Sequence, residues 1–490
     1  MTGERIRYHP SVILEGLAQL ALMFFLIFIS AAPLMTTVEA YLVIAAVIGA
    51  ASFLLFLRWR RTTVQLNENE MVVERNTLFK LKKSIPYSKI ASINVDRGII
   101  NRVFDTSKLK VNVNTRKNAT IPEATLVLKR DLAERIREEL SRNMHGSEPV
   151  IEAETVSVIE IRPLDVLIHG LFSQSTIQTV SGFLLLAFAI WEQITATNNV
   201  GSGGGLISLL MFFVLTVFPT IMSMVHYANF KVYRIKDTIY LQHGLISTFK
   251  TSFNVSRINA VHVRSTMVSR LLGRSYIEAE VIGLGLGKDT KRPVLCLLKK
   301  NDVIDLALKE LVPEFIYERE VMRQPEAARK IIAAKAAIYS AVIVLFSAYL
   351  TYVVYATTEG MTMTGIERML INNMFIIIGI VSLVGIALWS RKAYRIKELT
   401  IGDDLFTFVN GVMDRRMTTM SYDKVQIVDI SKGPLARRYG LAVGSISLLS
   451  SAGGVTVSSG YFPEERLNQV HEIVMERLSN GKYDHRKNEV

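Results

Sequence analysis

Three arginines, Arg102, Arg270 and Arg437, recur at intervals of 168 and 167 residues, and a guanidinium at such a column can serve two purposes. Close to a bilayer it meets anionic headgroups, worth about 1 kcal/mol per basic residue. Inside a domain it caps a turn or pairs with a carboxylate, and Asp105, three residues after Arg102, favours that structural role. Asn372 and Asn373 are the next polar groups of interest, because they fall within an apolar stretch. There they either hydrogen-bond a neighbouring helix or line a transport path. Glu15, Glu192 and Lys335 stand at the ends of apolar stretches, where long side chains reach back to water. Lys80, Lys82 and Lys83, and Arg415 and Arg416, read as solvated strand faces.

Catalytic chemistry finds little support. The 8 histidines form no His-x-x-x-His pair and Cys296 is the lone cysteine, so no metal site is expected. Glycines at 283, 285 and 287 before Lys288 resemble a phosphate loop, but a strand rather than a helix follows, which predicts a hairpin turn. There is no nucleophile elbow. No cofactor and no enzyme activity are expected. The net charge of +13 comes without a recognition helix or an aromatic-basic platform, so anionic lipid is its expected counterpart and nucleic acid is not.

The elements that would position these residues follow from hydropathy. The chain has 490 residues, 50% hydrophobic and 21% charged, with a mean hydropathy of +0.28. Disorder and a disulfide framework are excluded, and lipid-soluble segments between water-soluble domains are implied. Six uncharged stretches, at 16–34, 40–57, 172–191, 204–224, 336–358 and 369–390, are long enough to cross a bilayer as helices. They fall into three pairs, each read as a helical hairpin, and Pro219 should kink the fourth span. The first is too long for a secretory signal and reads as an uncleaved helix. The connectors within the hairpins contain one cation, Arg368, whereas Arg58, Arg60 and Arg61, then Lys231 and Arg234, then Arg391, Lys392 and Arg395 follow the second helices. That asymmetry predicts cytoplasmic termini and cytoplasmic soluble domains.

The soluble stretches repeat. Ile90, Ile258 and Val425 keep the spacing of the arginines, as do Asp105, Gly273 and Gly440, and Asn76, Gly244 and Gly411. The last column predicts tight turns between strands. Leu109, Val111 and Val113 alternate with polar residues as in a half-buried strand. Helices are predicted over 131–143, 301–314 and 463–478, with Asp131 and Asn301 as N-caps. The divisions that result are hairpins at 1–57, 147–225 and 316–390, the last two with linkers, and domains at 58–146, 226–315 and 391–490.

Gly433-Pro434-Leu435, Arg437 to Gly440, Ser450 to Gly454 and the lead-in Arg7 to Pro10, echoed by Arg162-Pro163, carry a family resemblance. On these residues the chain resembles the bacterial pleckstrin-homology-like (bPH2-type) multi-pass membrane proteins of the YdbT-like family. The first two units depart from the pattern, since Asp105 replaces a glycine and 281–287 lacks the Ala-Gly-Gly ending. The resemblance implies an α+β membrane protein of three tandem repeats. Each would be a transmembrane hairpin followed by a PH-like β-sandwich or barrel closed by a C-terminal helix. It also implies the bacterial inner membrane, lipids as partners, and assembly with a smaller one-repeat relative or as an oligomer. Parallel repeats could surround a pseudo-threefold axis. The expected role is a scaffold in envelope maintenance or stress defence, with a transporter running between the hairpins as the alternative.

Overall fold

The computed structural model describes residues 5–20, 37–77, 80–113, 122–145, 159–195, 203–284, 292–358, 365–450 and 453–480. The first stretch of elements runs β1 (Arg5–Arg7), α1 (Ser11–Leu20), α2 (Thr37–Arg60), β2 (Thr62–Leu66), β3 (Glu70–Asn76), β4 (Lys80–Pro86), β5 (Ile90–Arg97), α3 (Ile99–Val103), β6 (Thr106–Val113), β7 (Ala124–Lys129) and α4 (Arg130–His145). The second runs α5 (Pro163–Phe172), α6 (Thr176–Thr195), α7 (Gly203–Phe212), α8 (Phe218–Tyr227), β8 (Lys231–Ile235), β9 (Thr238–His243), β10 (Thr248–Asn254), β11 (Ile258–Ser265), α9 (Met267–Leu271), β12 (Arg274–Val281), β13 (Val294–Lys300) and α10 (Asn301–Leu311). The third runs β14 (Met322–Arg323), α11 (Glu326–Thr358), α12 (Gly365–Ile396), β15 (Glu398–Ile401), β16 (Leu405–Asn410), β17 (Arg415–Ser421), β18 (Val425–Ser431), α13 (Pro434–Arg438), β19 (Leu441–Ser450), β20 (Gly453–Pro463) and α14 (Glu464–Ser479).

Among the described residues, three helical segments are long and apolar enough to cross a membrane: Gly205–Tyr227, Glu326–Thr357 and Asn372–Ile396. Helix α2 is also strongly apolar, with Val38, Leu42, Phe53 and Leu54 exposed, and most of the expected first span lies outside the described residues. The expected third span is corrected. Phe172 ends α5, the chain breaks over 173–175, and α6 leaves at 81°, so 172–191 is not one straight helix. Ser173, Gln174 and Ser175 supply no apolar surface to hold a continuous turn in lipid. The fourth span carries a π-helical turn, Phe213–Val217, immediately before Phe218 and Pro219. Widening the ladder there relieves the clash between a proline ring and the carbonyl of the preceding turn.

A proline precedes or opens the helix that begins each stretch: Pro10 before α1, Pro163 in α5 and Pro325 before α11. At the start of α5, the Asp165 carboxylate accepts from the Arg162 N–H at 2.9 Å, so this backbone donor is satisfied locally. Before α11, Gln324 donates to the carbonyls of Ala393 and Tyr394 and accepts from the Tyr461 N–H, tying lead-in, hairpin end and sheet together. Asp131 and Asn301 are not caps. Each lies within its helix, and Lys300 stands at the N-cap of α10.

Strands alternate as the sequence requires, β9 and β19 burying every second side chain along most of their length. Among the described residues they form four sheets. Two stay within a stretch, β1-β2-β3-β4 and β18-β19-β20. The other two run across stretches, as β7-β6-β5-β10-β9-β8 and β13-β12-β11-β17-β16-β15-β14. The divisions at 58 and 391 therefore cut through sheets, because β1 and β14 precede their hairpins yet pair with β2 and β15. The cores interlock in the same way: Leu405 joins the core built on Val232, Ile277 and Leu297, and Ala260 joins the one built on Phe406, Tyr422 and Phe462. The ladder links first stretch to second and second to third. Among the described residues it does not return from third to first.

Candidate functional site

The arginine columns occupy one structural position three times. Arg102, Arg270 and Arg437 lie in the last turns of α3, α9 and α13, each followed by a residue with positive φ: Asp105 at 46°, Gly273 at 62° and Gly440 at 64°. The N–H of that residue donates to the arginine carbonyl in all three, which ends the short helix. The side chains differ. Arg102 and Arg437 are exposed, whereas Arg270 donates to the Met413 carbonyl in the turn between β16 and β17. Burial, and then the neighbouring Arg415, push the Arg270 pKa down. The expected partner of Arg102 is corrected: Asp105 binds Arg97 at 2.8 Å, because α3 turns Arg102 outward.

Each short helix also presents apolar side chains to the outside, among them Val103 at 75% exposure, Leu271 at 81%, and Leu435. Each sits beside the first helix of its stretch or the lead-in to it. The Phe104 ring lies 6.2 Å from that of His9, two residues before α1. Thr266 donates to the Phe172 carbonyl at 2.8 Å, and the Met267 N–H donates to the Thr176 hydroxyl at 3.0 Å, across the α5–α6 bend. Ala436 packs with Ala328 and Ile331 at the start of α11. An arginine on an apolar knob beside a lipid-soluble helix is suited to the interfacial zone, with its stem in acyl chains and its head among phosphates.

The joints between stretches form a second polar constellation. At the first joint, Ser92 donates to the Gly283 carbonyl at 2.6 Å and Asn112 to that of Leu284 at 2.7 Å, while Thr251 donates to Asn94. Gly283, with φ of 75°, thus belongs to a turn that docks on its neighbour, and 285–291 lie outside the described residues. At the second joint, His262 and Glu280 are wholly buried with their ring and carboxylate atoms 2.9 Å apart. Burial holds His262 below its usual pKa, so Nε2–H donates to Glu280 and Nδ1 accepts from Thr418 at 2.8 Å. Burial opposes ionisation of Glu280, yet the hydrogen bond from His262, the charge of Arg292 and the Ser450 hydroxyl bring its pKa down to about 2. Sequence reasoning missed this cluster. The available signal was a carboxylate on the inward side of an apolar run, Tyr276–Val281.

Asn373 donates to the Met369 carbonyl of its own helix at 2.8 Å, and Asn372 is half-buried beside it. A groove of about 690 Å³ opens between the second and third stretches, with Asp237, Glu314, Asp403 and Asp404 along it beside Lys424. Among the described residues, no group of three or more His, Cys, Asp or Glu could hold a metal ion.

Antiparallel sheets set beside apolar helices define an α+β membrane protein. Residues 18–144, 180–310 and 348–478 each match the family described as bacterial PH domain, and the chain belongs to that family. It is similar to UPF0699 transmembrane protein YdbT of Bacillus subtilis (strain 168), with 22% identity over 319 residues, 59% of this chain and 64% of that protein. The chain thus spans somewhat under two thirds of that relative's length. No solved structure matches it. It is a YdbT-like transmembrane protein with internal bacterial PH-domain repeats.

Proposed function

We propose that the chain is a non-enzymatic membrane scaffold in which each repeat is a transmembrane hairpin followed by a PH-like sandwich closed by a helix. The observation that carries this is the double role of the strands. Sheets shared between neighbouring units lock three domains into one array, while α3, α9 and α13 set an arginine and apolar side chains at the base of each hairpin. Such an array supports binding to anionic lipid at the inner face of a bacterial inner membrane, in envelope maintenance or stress defence. The cation-rich ends of α2 and α12 support cytoplasmic domains. The local hydrogen bond of Asn373 supports a structural asparagine rather than a transport path.

The test uses the full chain in nanodiscs of neutral and of anionic lipid. Wild type should melt at higher temperature in anionic lipid, and the double variant Arg102→Glu, Arg437→Glu, at the two exposed arginines, should lose most of that difference while melting normally in neutral lipid. Equal melting of wild type in both lipids refutes headgroup binding.

A further inference from the structure

The two joints share one register. Thr248 pairs with Arg97 at the first and Arg415 with Ser265 at the second, and these are equivalent positions once the repeat spacings of 167 and 168 are applied. Each joint thus sets β10 or β17, the repeat counterparts of β4, against β5 or β11 of the unit before it, the repeat counterparts of β18. Among the described residues, two edges of the same kind remain open: β4 pairs only with β3, and β18 only with β19. We propose that copies of this chain join head to tail, the β18 edge of one copy pairing antiparallel with the β4 edge of the next.

The chemistry of the open edges fits each other. The shared register puts Ile427 opposite Ile85 and Asp429 opposite Lys83. At the formed joints the positions of Asp429 and Lys83 are held by Asn94 with Thr251 and by His262 with Thr418, hydrogen-bonded in both. The open edges replace that bonded couple by a carboxylate and an ammonium. Burial marks the same column as unfinished: Ser92 and Ala260 are 2% and 0% exposed, whereas their counterpart Ile427 is 54% exposed. Leu81 on β4 is exposed too. Unpaired edges of this kind are templates for a further strand. Because both complementary edges lie on one chain, a second copy suffices as the occupant, and the contact is heterologous, so it extends until it closes.

Two differently tagged full-length forms, Lys83→Cys and Asp429→Cys, are co-expressed in membranes and treated with a short bismaleimide. The native Cys296 is fully buried and gives little background. The expected result is a mixed-tag dimer that is absent when both copies carry the same substitution. On the wild-type background, Asp429→Lys should cut the dimer fraction seen by native mass spectrometry about tenfold. Combining it with Lys83→Asp should restore the dimer, which separates lost pairing from lost folding, since Lys83 also binds Glu123. Three outcomes overturn the proposal: monomer alone, a crosslink inside a single chain that carries both cysteines, or capture of a smaller protein at these positions without self-dimers.

Discussion

Glu280 has no exposure to water, and its charge survives because Arg292, His262 and Ser450 all point at it. Removing the carboxylate alone leaves a guanidinium and an imidazole donor without their acceptor. Glu280→Ala should therefore cost about 3 kcal/mol of stability, and Glu280→Gln less, as read by urea melts in detergent. A cost under 1 kcal/mol would mean the cluster is hydrated in solution. His243 gives a pH signature. Burial pulls its pKa down to about 4, against the hydrogen bond to the His226 carbonyl at 2.9 Å, and Phe230 and Phe249 stack on its ring. Between pH 6.5 and pH 4 the unfolded chain takes up a proton that the folded one refuses. Stability should fall as pH drops through that window, by up to about 3 kcal/mol, and His243→Phe should flatten the slope. An unchanged slope in the variant would assign the acid sensitivity elsewhere. Glu280 acts lower, its contribution present above pH 4.5 and lost toward pH 2.

The turns between strands show what periodicity can and cannot reveal. Gly244 and Gly411 have φ of 112° and 90°, and a Cβ at either would sit 1.8 Å from a backbone oxygen, of Ser247 or of Asp414. Gly411→Ala should cost more than about 2 kcal/mol, because a positive φ and a backbone clash add. Gly433→Ala, with open space around it, should cost under about 1 kcal/mol. Equal melting temperatures for the two variants would contradict the geometry. Both turns were legible as repeat columns, although Asn76 in the same column closes β3 without positive φ. The strand runs and the fourth to sixth spans were legible from hydropathy. The α5–α6 bend was not, because a run without charges looks the same straight or broken. Neither were the caps, since Asp131 and Asn301 suit a first turn as well as a cap. The arginine columns were found by spacing, while their surroundings depend on which neighbouring unit folds over them.

At the scale of the whole molecule, the decisive fact is that strand pairing crosses the repeat boundaries. No alternation pattern distinguishes an edge strand from an interior one: β5, β11 and β18 carry the same period of two, yet among the described residues β5 and β11 are paired on both sides and β18 on one. Amide exchange reads this difference directly. In dilute detergent, where copies are apart, amides of β11 should exchange at least tenfold more slowly than those of β18, although the two strands are repeats of each other. The coupling should also be local, as in arrays whose units touch only their neighbours. Glu280→Ala should speed exchange in β11 and in β17, which lie on opposite sides of the second joint, and leave β2 and β3 at their wild-type rates. Were exchange to rise equally in all three units, the chain would be one cooperative body rather than a row of joined ones. Were it to rise in β11 alone, the shared sheet would not transmit stability between neighbours, and the strand pairing across the repeats would carry no mechanical meaning.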